Sequence, residues 1–104
     1  GVFSCNDQMA IGVLKAMKEN RIDCPSRVKV IGFDNTYVSS IAVPSLTTIN
    51  VPKVRMGTVA AQKLTEMIEG TLPSGEITYE IPIGLVQRTT TDPDKENGIE
   101  LEDW

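Results

Sequence analysis

Apolar runs of strand length alternate with helix-like patterns along the first half of the chain. Val2–Cys5 and Val28–Phe33 are predicted strands, and the second is so rich in Val and Ile that helices should cover both of its faces. Between them, Asn6 or Asp7 is placed to cap a helix that runs to about Asn20. Apolar residues at i, i+3, i+4 and i+7 give this helix one stripe, formed by Ala10, Val13, Leu14 and Met17.

The middle of the chain predicts a third strand followed by a long helix. Thr36–Val43 is either a long loop or one short helix, and Leu46–Ile49 is the third strand candidate. Pro52 suits the first position of a helix, and the helix should end at Glu69, before Gly70 as a left-handed cap. One face of this helix is apolar and consists of Val54, Gly57, Ala61, Leu64 and Ile68.

Two further strands are predicted after the long helix. Ile77, Tyr79 and Ile81 alternate with polar residues, which favours a half-exposed or edge strand. Pro82 cannot donate to a ladder and excludes a central position there. Ile83–Gln87 is predicted as a final short strand. Together these elements indicate an α/β fold with a mainly parallel sheet and flanking helices.

Length and composition are those of a single globular domain. The 104 residues are 40% apolar and 23% charged, and the net charge of −4 argues against direct contact with phosphate backbones. No apolar stretch reaches membrane-spanning length and no signal segment opens the chain, although a start within a strand indicates a fragment of a longer protein. Residues 1–91 should form the fold, and residues 92–104 are predicted to be an acidic, flexible tail.

Histidine and cysteine usage narrows the possible chemistry. The chain has no histidine, which removes the commonest general base and metal ligand. A disulfide between Cys5 and Cys24 is conceivable, but two free thiols in a reducing cytoplasm fit the sequence better, with Cys5 as a small core residue. No phosphate loop, nucleophile elbow or metal-ligand spacing is present in the sequence, so we expect no catalytic residue, metal or cofactor.

Two polar stops follow the first two predicted strands and form the candidate ligand site. Asn6-Asp7-Gln8 ends the first strand and Asp34-Asn35 ends the second. The carboxyl ends of neighbouring parallel strands meet at one sheet edge, where loops present polar groups to ligands. The first stop is either only a helix cap or a cap with one side chain in the cleft. For Asp34, a structural role and a ligand-binding role are evenly balanced.

Other polar and sulfur-containing side chains are assigned structural roles. Lys53 and Arg55 are expected to be solvated, and Arg88 either is solvated too or ties strand ends together with Thr89 and Thr90. Four methionines fall at helical spacing and are predicted to fill the core, namely Met9, Met17, Met56 and Met67.

Four segments of the chain resemble the lactose-repressor/galactose-repressor (LacI/GalR) family of bacterial transcription regulators. Phe3–Gly12 resembles the stretch F…NDxMAxG, and Val30–Asn35 resembles the strand end VIGFDN/D. Pro44–Ala61 is similar to PxLTTIxxPxxxMGxxA, and Leu85–Thr90 to the closing LVxRxT. The motifs stand in family order and at family spacing, and they cover nearly everything up to Thr91.

The resemblance implies a three-layer, periplasmic-binding-protein-like fold of type I, present here as a partial domain. An effector would bind between two lobes joined by crossing segments, one of which matches Ile49–Pro52. The family's effector positions match Asn6 and Asp34, with weaker neighbours at Asp7, Gln8 and Asn35.

The function implied by the resemblance is effector sensing and dimerisation within a cytoplasmic, DNA-binding repressor. The effector would be a small polar molecule such as a sugar or nucleobase, although Val51 replaces a glutamine that sugar-binding members often carry. A second copy would bind through Gln8–Glu19 and Thr36–Val43. Operator DNA would bind through a helix-turn-helix domain absent from this chain, and no membrane partner is expected.

Two other functions compete with this one. A periplasmic sugar-binding protein of a transport system shares the fold and the Asn-Asp stop, but the Leu-Thr-Thr-Ile run and the Arg-Thr-Thr ending are similar to the regulators. An enzyme has only Asn6 and Asp34 in its favour and no partner base. Because most of the other lobe is missing, the apolar face of the helix at Lys53–Glu69 should be exposed, so we expect the isolated chain to associate with itself.

Overall fold

A computed structural model describes residues 1–72, 75 and 77–95 of the chain. Its centre is a four-stranded sheet whose strands lie side by side in the order in which they follow along the chain. The strands are β1 Val2–Phe3, β2 Val30–Asp34, β3 Thr47–Asn50 and β4 Gly84–Val86. The first three strands are parallel, whereas β4 runs antiparallel to β3. The predicted, mainly parallel sheet is therefore confirmed.

Among the residues that the structure describes, three helices connect the strands, and their bounds follow local signals in the sequence. The helices are α1 Asp7–Glu19, α2 Tyr37–Ile41 and α3 Lys53–Ile68. The first and third agree with the prediction, except that Pro52 stands at the N-cap of α3 instead of its first helical position. The segment after β2 contains a short helix, so that alternative is correct. Gly70 has a φ of +71°, as expected of a left-handed cap.

The buried apolar core lies between α1 and the sheet. Its buried members come from α1, from β2 and from the residue before β3, and they are Ala10, Leu14, Met17, Val30 and Leu46. Val13, the fourth residue of the predicted stripe, is partly buried against this cluster. The helical spacing of apolar residues therefore predicted the packed face of α1 correctly.

β1 ends earlier than predicted, at Phe3 instead of Cys5, and β2 begins later than predicted, at Val30 instead of Val28. The N–H of Ser4 donates the last hydrogen bond of β1 to the carbonyl of Ile31 at 2.8 Å, and the chain then turns into α1. β2 starts late because the N–H of Val28 donates to the carbonyl of Asp23 at 3.1 Å, within the preceding turn. The N–H of Val28 is thus used within a turn, and β1 ends where its ladder hydrogen bonds end, at Ser4.

Both cysteines are free, but their surroundings differ. Cys5 lies in the turn between β1 and α1 and is exposed, so its predicted core position is wrong. Its side chain leaves the sheet because β1 has already ended. Cys24 is partly buried and packs against the core, and this burial raises the pKa of its thiol.

The predicted strand at Ile77–Ile81 does not form. Ile77 and Tyr79 are 39% and 48% exposed, and this segment has no ladder partner in the described part of the chain. The ammonium of Lys63 lies 4.9 Å from the centroid of the Tyr79 ring, which is a cation–π contact with α3. Alternation was misleading here, because a strand also needs a neighbouring strand. β4 lies within Ile83–Gln87 and confirms the last predicted strand.

Helix α3 stands apart from the core. None of its described residues is buried, and its predicted apolar face is open, with Leu64 58% and Ile68 78% exposed. Met56 and Met67 are exposed as well, as is Met9 of α1, so the prediction that these three methionines fill the core is wrong. The helical spacing was correct, but no partner surface covers α3 within the described residues.

The described chain ends in a turn held by hydrogen bonds. The N–H of Asp94 donates to Oδ1 of Asp92 at 3.1 Å, and the hydroxyl of Thr89 donates to the carbonyl of Lys95 at 3.0 Å. Most of the predicted acidic tail, residues 96–104, lies outside the described residues. Across the ranges that the structure describes, no helix has both the length and the apolar character needed to cross a bilayer.

Candidate functional site

The two polar stops lie at the same edge of the sheet. Because β1 and β2 are parallel neighbours, with Phe3 opposite Ile31, both strands leave the sheet at the same end. β3 ends there as well, and its last residue, Asn50, stands opposite Asp34. Asn6, Asp34 and Asn50 therefore border one edge, which we call the carboxyl rim.

Asn6 caps α1 and keeps one polar group for other partners. Its backbone is extended, with a φ of −154°, and its Oδ1 accepts a hydrogen bond from the N–H of Met9 at 2.8 Å. The other half of the amide, Nδ2, donates to no group among the described residues, and the side chain is half-buried. Asn6 can therefore cap the helix and offer a donor to a ligand at the same time.

Asp7 is fully buried and joins the turns that follow β1 and β2. Its Oδ2 accepts hydrogen bonds from the N–H and the hydroxyl of Thr36, at 2.6 and 2.9 Å. Its Oδ1 accepts from the hydroxyl of Thr48 at 2.5 Å. With 0% exposure and both oxygens engaged, the carboxylate is directed into the fold.

Asp34 combines an unusual backbone conformation with a carboxylate that has no partner among the described residues. Its φ of +101° lies in a region that residues other than glycine rarely adopt. Its carbonyl accepts a hydrogen bond from the ammonium of Lys53, the first residue of α3. The side chain is half-buried, and its carboxylate makes no hydrogen bond or ion pair with any residue that the structure describes. Asp34 is therefore an available acceptor on the carboxyl rim.

Asn35 is also left-handed, with a φ of +51°, but its side chain is only 3% exposed. Its Nδ2 donates to Oδ1 of Asn50 at 3.0 Å. Its Oδ1 accepts from Nη2 of Arg88 at 2.9 Å and from the hydroxyl of Ser39 at 3.2 Å. Its backbone N–H donates to the hydroxyl of Thr48 at 3.3 Å. The amide of Asn35 thus connects parts of the fold to one another.

Arg88 is buried, which decides between the two roles predicted for it. It is 3% exposed, and its Nη1 donates to the hydroxyl of Ser39 at 3.0 Å. Two residues later, the hydroxyl of Thr90 accepts from the N–H of Thr47 at 2.8 Å and donates to the carbonyl of Val30 at 2.7 Å. The segment after β4 therefore ties strands together, and the solvated alternative is wrong.

Three residues at or behind the carboxyl rim escaped sequence reasoning as site residues. Asn50 follows the rule that selected Asn6 and Asp34, because it ends a parallel strand, so the signal was present. Thr48 gave no signal, since threonine within an apolar run is typical of any strand. Lys53 is exposed as predicted, but its contact depends on the left-handed turn at Asp34, which the sequence does not reveal.

The carboxyl rim offers a small set of donors and acceptors. The Nδ2 of Asn6 is an available donor, the carboxylate of Asp34 is an available acceptor, and the Lys53 ammonium lies beside the same turn. A carboxylate can accept two hydrogen bonds from adjacent hydroxyls or from an amine. Within the described ranges, no group of three or more His, Cys, Asp or Glu side chains could hold a metal ion. The set therefore suits a small polar molecule.

A second concave surface lies between α1 and the segment that contains α2. It is a groove of about 860 Å³, lined mostly by apolar side chains that include Ile11, Val38 and Val43, and Gln8 also lies on it. Several of these side chains are highly exposed, Ile41 at 50% and Val43 at 93%. Gln8 thus belongs to this surface, which we call the α1–α2 groove.

The fold defines the class of protein as a periplasmic-binding-protein-like domain. Residues 1–91 match the family described as the periplasmic binding protein-like domain, and the chain belongs to that family. Within it, the chain is similar to regulators of the LacI/GalR family, so the predicted resemblance is confirmed. The predicted fold class, a partial α/β domain of this type, is confirmed as well.

Two curated relatives show the extent of the similarity. The HTH-type transcriptional regulator RegA of Clostridium acetobutylicum is 40% identical over 87 residues, which are 84% of this chain and 26% of that protein. The HTH-type transcriptional regulator GalR of Salmonella typhimurium is 37% identical over 93 residues, which are 89% of this chain and 27% of that protein. The chain therefore spans about a quarter of the length of the curated relatives it matches.

Solved structures show the same similarity to LacI-type regulators. The Lac repressor dimer bound to operator and the anti-inducer ONPF has a TM-score of 0.79 at 31% identity, covering 86% of this chain and 30% of that one. A periplasmic binding protein/LacI transcriptional regulator from Alkaliphilus metalliredigens, complexed with D-xylulofuranose, has a TM-score of 0.76 at 34% identity. That match covers 88% of this chain and 34% of the other.

Proposed function

We propose that this chain is the effector-sensing and dimerisation portion of a bacterial DNA-binding transcription regulator, a repressor of the LacI/GalR type. Support comes from relatives that are named as transcriptional regulators and from the similarity to the Lac repressor. Operator DNA would be bound through a helix-turn-helix domain outside this chain, because a net charge of −4 is unsuited to a phosphate backbone. The protein would act in the cytoplasm, without enzymatic activity.

The observation that supports effector binding is that an available donor, Nδ2 of Asn6, and an available acceptor, the Asp34 carboxylate, both border the carboxyl rim. In our proposal the Asp34 carboxylate accepts hydrogen bonds from hydroxyls or an amine of the effector, and Nδ2 of Asn6 donates to it. The effector would be a small polar molecule such as a sugar or nucleobase. Sugar is favoured by a relative named as a ribose operon repressor and by the neighbour complexed with D-xylulofuranose.

Calorimetry on the full-length protein tests this assignment. We would titrate it with D-ribose, D-xylulose, D-galactose, hypoxanthine and guanine, and compare Asp34→Asn with the parent protein. Asp34→Asn removes the charge but keeps a side chain that tolerates positive φ. We expect it to abolish binding of whichever compound binds the parent protein, and to leave folding intact.

A matched control is Asp94→Asn, because Asp94 is exposed and its carboxylate makes no contact among the described residues. This control should bind like the parent protein. An unchanged dissociation constant in Asp34→Asn would show that the ligand site is elsewhere. Absence of binding by the parent protein to all five compounds would leave the sugar and nucleobase classes without support.

A second copy of the protein is the proposed occupant of the α1–α2 groove. The groove is apolar, its α2 side carries the highly exposed Ile41 and Val43, and a structural neighbour is a dimer. Burying these side chains against an equivalent surface would give a symmetric interface. In the full-length protein, Ile41→Lys should shift sedimentation toward the monomer, whereas Ile41→Val should not. A dimer that resists Ile41→Lys would place the interface on another surface.

The transport-protein alternative makes an opposite prediction about the cell compartment. A periplasmic binding protein would be released by osmotic shock, whereas a transcription regulator would stay in the cytoplasmic fraction and bind DNA. Because the named relatives are regulators, we expect the cytoplasmic result. Release of the full-length protein by osmotic shock would favour the transport function.

A further inference from the structure

A single buried side chain connects the two turns that carry the candidate ligand residues. Asp7 follows Asn6 directly, and its carboxylate accepts two hydrogen bonds from Thr36, two residues after Asp34. Any movement of one turn relative to the other would break these bonds. The separation between the Asn6 amide and the Asp34 carboxylate therefore depends on a residue that faces neither of them.

The hydroxyl of Thr48 extends this connection to the backbone of Asn35. It donates to Oδ1 of Asp7 at 2.5 Å and accepts from the N–H of Asn35 at 3.3 Å. A hydroxyl can donate and accept at once, so this one group serves both turns. A valine of the same shape would leave the Asp7 oxygen and the Asn35 N–H without that partner.

Arg88 holds Asn35 from the opposite direction. Its Nη2 donates to Oδ1 of Asn35 at 2.9 Å, and its Nη1 donates to the carbonyl of Leu46 at 2.9 Å. The guanidinium therefore fixes the left-handed Asn35 to the chain just before β3. Asp7, Asn35, Thr48 and Arg88 are each at most 3% exposed. We call these four residues the buried network.

The direction of the Asp34 carboxylate depends on this network. The carboxylate has no side-chain partner of its own among the described residues, so no other side chain fixes its rotamer and the backbone sets the direction of its Cα–Cβ bond. That backbone is at a φ of +101°, and the next residue is at +51°. Two successive left-handed residues that are not glycine persist only where surrounding contacts hold them.

We propose that the buried network positions the Asp34 carboxylate for the effector, so that Asp7 and Thr48 control ligand affinity without touching the ligand. The proposal rests on the proposed function, in which Asp34 contacts the effector. It assigns the network an effect on binding that is separate from its effect on stability. A preorganised acceptor binds more tightly because little ordering is needed when the ligand arrives.

The test compares two buried threonines in the full-length protein. Thr48→Val removes the hydroxyl that joins Asp7 and Asn35. Thr90→Val is the matched control, because Thr90 is equally buried and loses two hydrogen bonds, yet contacts neither turn of the carboxyl rim. Both variants are measured by calorimetry with the five compounds named above and by chemical denaturation, under conditions where both are folded.

We expect Thr48→Val to weaken binding by roughly tenfold, the change produced when a displaced Asp34 carboxylate loses about one hydrogen bond to the effector. Thr90→Val should lose a similar amount of stability and bind like the parent protein. Thr48→Ser should restore binding, because it keeps the hydroxyl. Equal affinity in Thr48→Val and the parent protein, or an equal loss in Thr48→Val and Thr90→Val, would overturn the proposal.

A ligand-free measurement separates failure of this inference from failure of the proposed function. Nuclear magnetic resonance relaxation reports the order of the Asp34 backbone in each variant. If the network holds Asp34, Thr48→Val lowers the order parameter of Asp34 and Thr90→Val does not. That result supports the positioning role even if none of the five compounds binds the parent protein. An Asp34 backbone that is equally ordered in all variants overturns it.

Discussion

Asp34 and Asn35 adopt positive φ in succession, and the two residues use that conformation differently. At Asp34 the carboxylate lies at the edge of the sheet without a partner in the described part of the chain, whereas at Asn35 the amide is turned into the fold, toward Arg88 and Asn50. Residues with a short polar side chain tolerate positive φ better than most. Aspartate and asparagine therefore suit both the positive φ of this turn and the hydrogen bonding of their side chains.

Replacing Asp34 separates the contribution of its backbone from that of its carboxylate. Alanine at a φ of +101° keeps a Cβ, which disfavours that conformation, and lacks the short polar side chain that makes positive φ more accessible to aspartate. Glycine removes the same carboxylate without this cost, so Asp34→Gly should be more stable than Asp34→Ala by about 1 kcal/mol. Urea denaturation of both variants measures the difference. If alanine is as stable as glycine, the left-handed conformation is not what the protein adopts.

Two glycines should respond in opposite ways to the same added methyl group. A Cβ on Gly32 would overlap Oδ1 of Asp7 and lie 2.9 Å from Cδ2 of Leu46, whereas a Cβ on Gly12 of α1 would meet nothing within 4 Å. Gly32→Ala should therefore destabilise the protein by about 1–3 kcal/mol. Gly12→Ala should stabilise it by about 0.5–1 kcal/mol, because glycine is costly within a helix. Thermal denaturation of both variants checks these signs, and a neutral Gly32→Ala would refute the close packing behind β2.

At the scale of elements, the N-terminus of α1 is stabilised by a side chain that is also the proposed donor to the effector. The Oδ1 of Asn6 caps the helix, and Nδ2 of the same amide is the proposed donor to the effector. The two roles use different atoms. They can therefore be removed one at a time.

Substitutions at Asn6 test this division. Asn6→Asp keeps a capping oxygen but loses the donor, so it should retain stability and lose effector binding. Asn6→Ala should lose binding and about 1 kcal/mol of stability, because the N–H of Met9 then has no cap. Denaturation and calorimetry on the full-length protein distinguish these outcomes. Normal binding by Asn6→Asp would exclude the proposed donor.

Elements that have strong local signals were predicted correctly from the sequence. Features that depend on contacts between residues far apart in the sequence were not. The stripe of α1 and the cap at Gly70 follow from spacing and residue type, and both are confirmed. The alternation around Tyr79 was misleading, because no adjacent strand pairs with it among the described residues. The burial of Arg88 depends on partners 42 to 53 positions away along the chain, which no local pattern encodes.

The candidate site was predicted in part, and the reason is geometric. The rule that parallel strands share an edge brought Asn6 and Asp34 to one rim, as the strand register shows. The rule does not say which way a side chain points after the strand has ended. It therefore could not distinguish the outward Asp34 from the inward Asp7, which depends on turn geometry and on Thr36 and Thr48.

At the scale of the whole molecule, α3 is a helix that buries none of its described residues. Its apolar side chains Val54, Leu64 and Ile68 are each more than half exposed, and no described residue of the helix is buried. Exposed apolar surfaces of this kind drive association in water. The isolated 104-residue chain is therefore expected to self-associate.

Sedimentation velocity on the isolated chain tests this expectation. The sedimentation coefficient should rise with protein concentration, and Leu64→Lys should reduce the rise by placing a charge on the apolar face of α3. Thr58→Lys is a suitable control, because Thr58 is exposed and bonds only within its own helix. A stable, well-folded monomer at high concentration would contradict the prediction.

The position of β4 has a mechanical consequence for whatever α3 packs against. The chain leaves the sheet after Asn50 to build α3 and returns at Gly84, and these two residues stand opposite each other in adjacent strands. The chain segments that lead to α3 and back from it therefore lie side by side, and each is a single strand. Such a pair resists sliding and separation but permits rotation about the line that joins them. A domain attached in this way can rotate about that line, and Asp34 lies in the strand next to it.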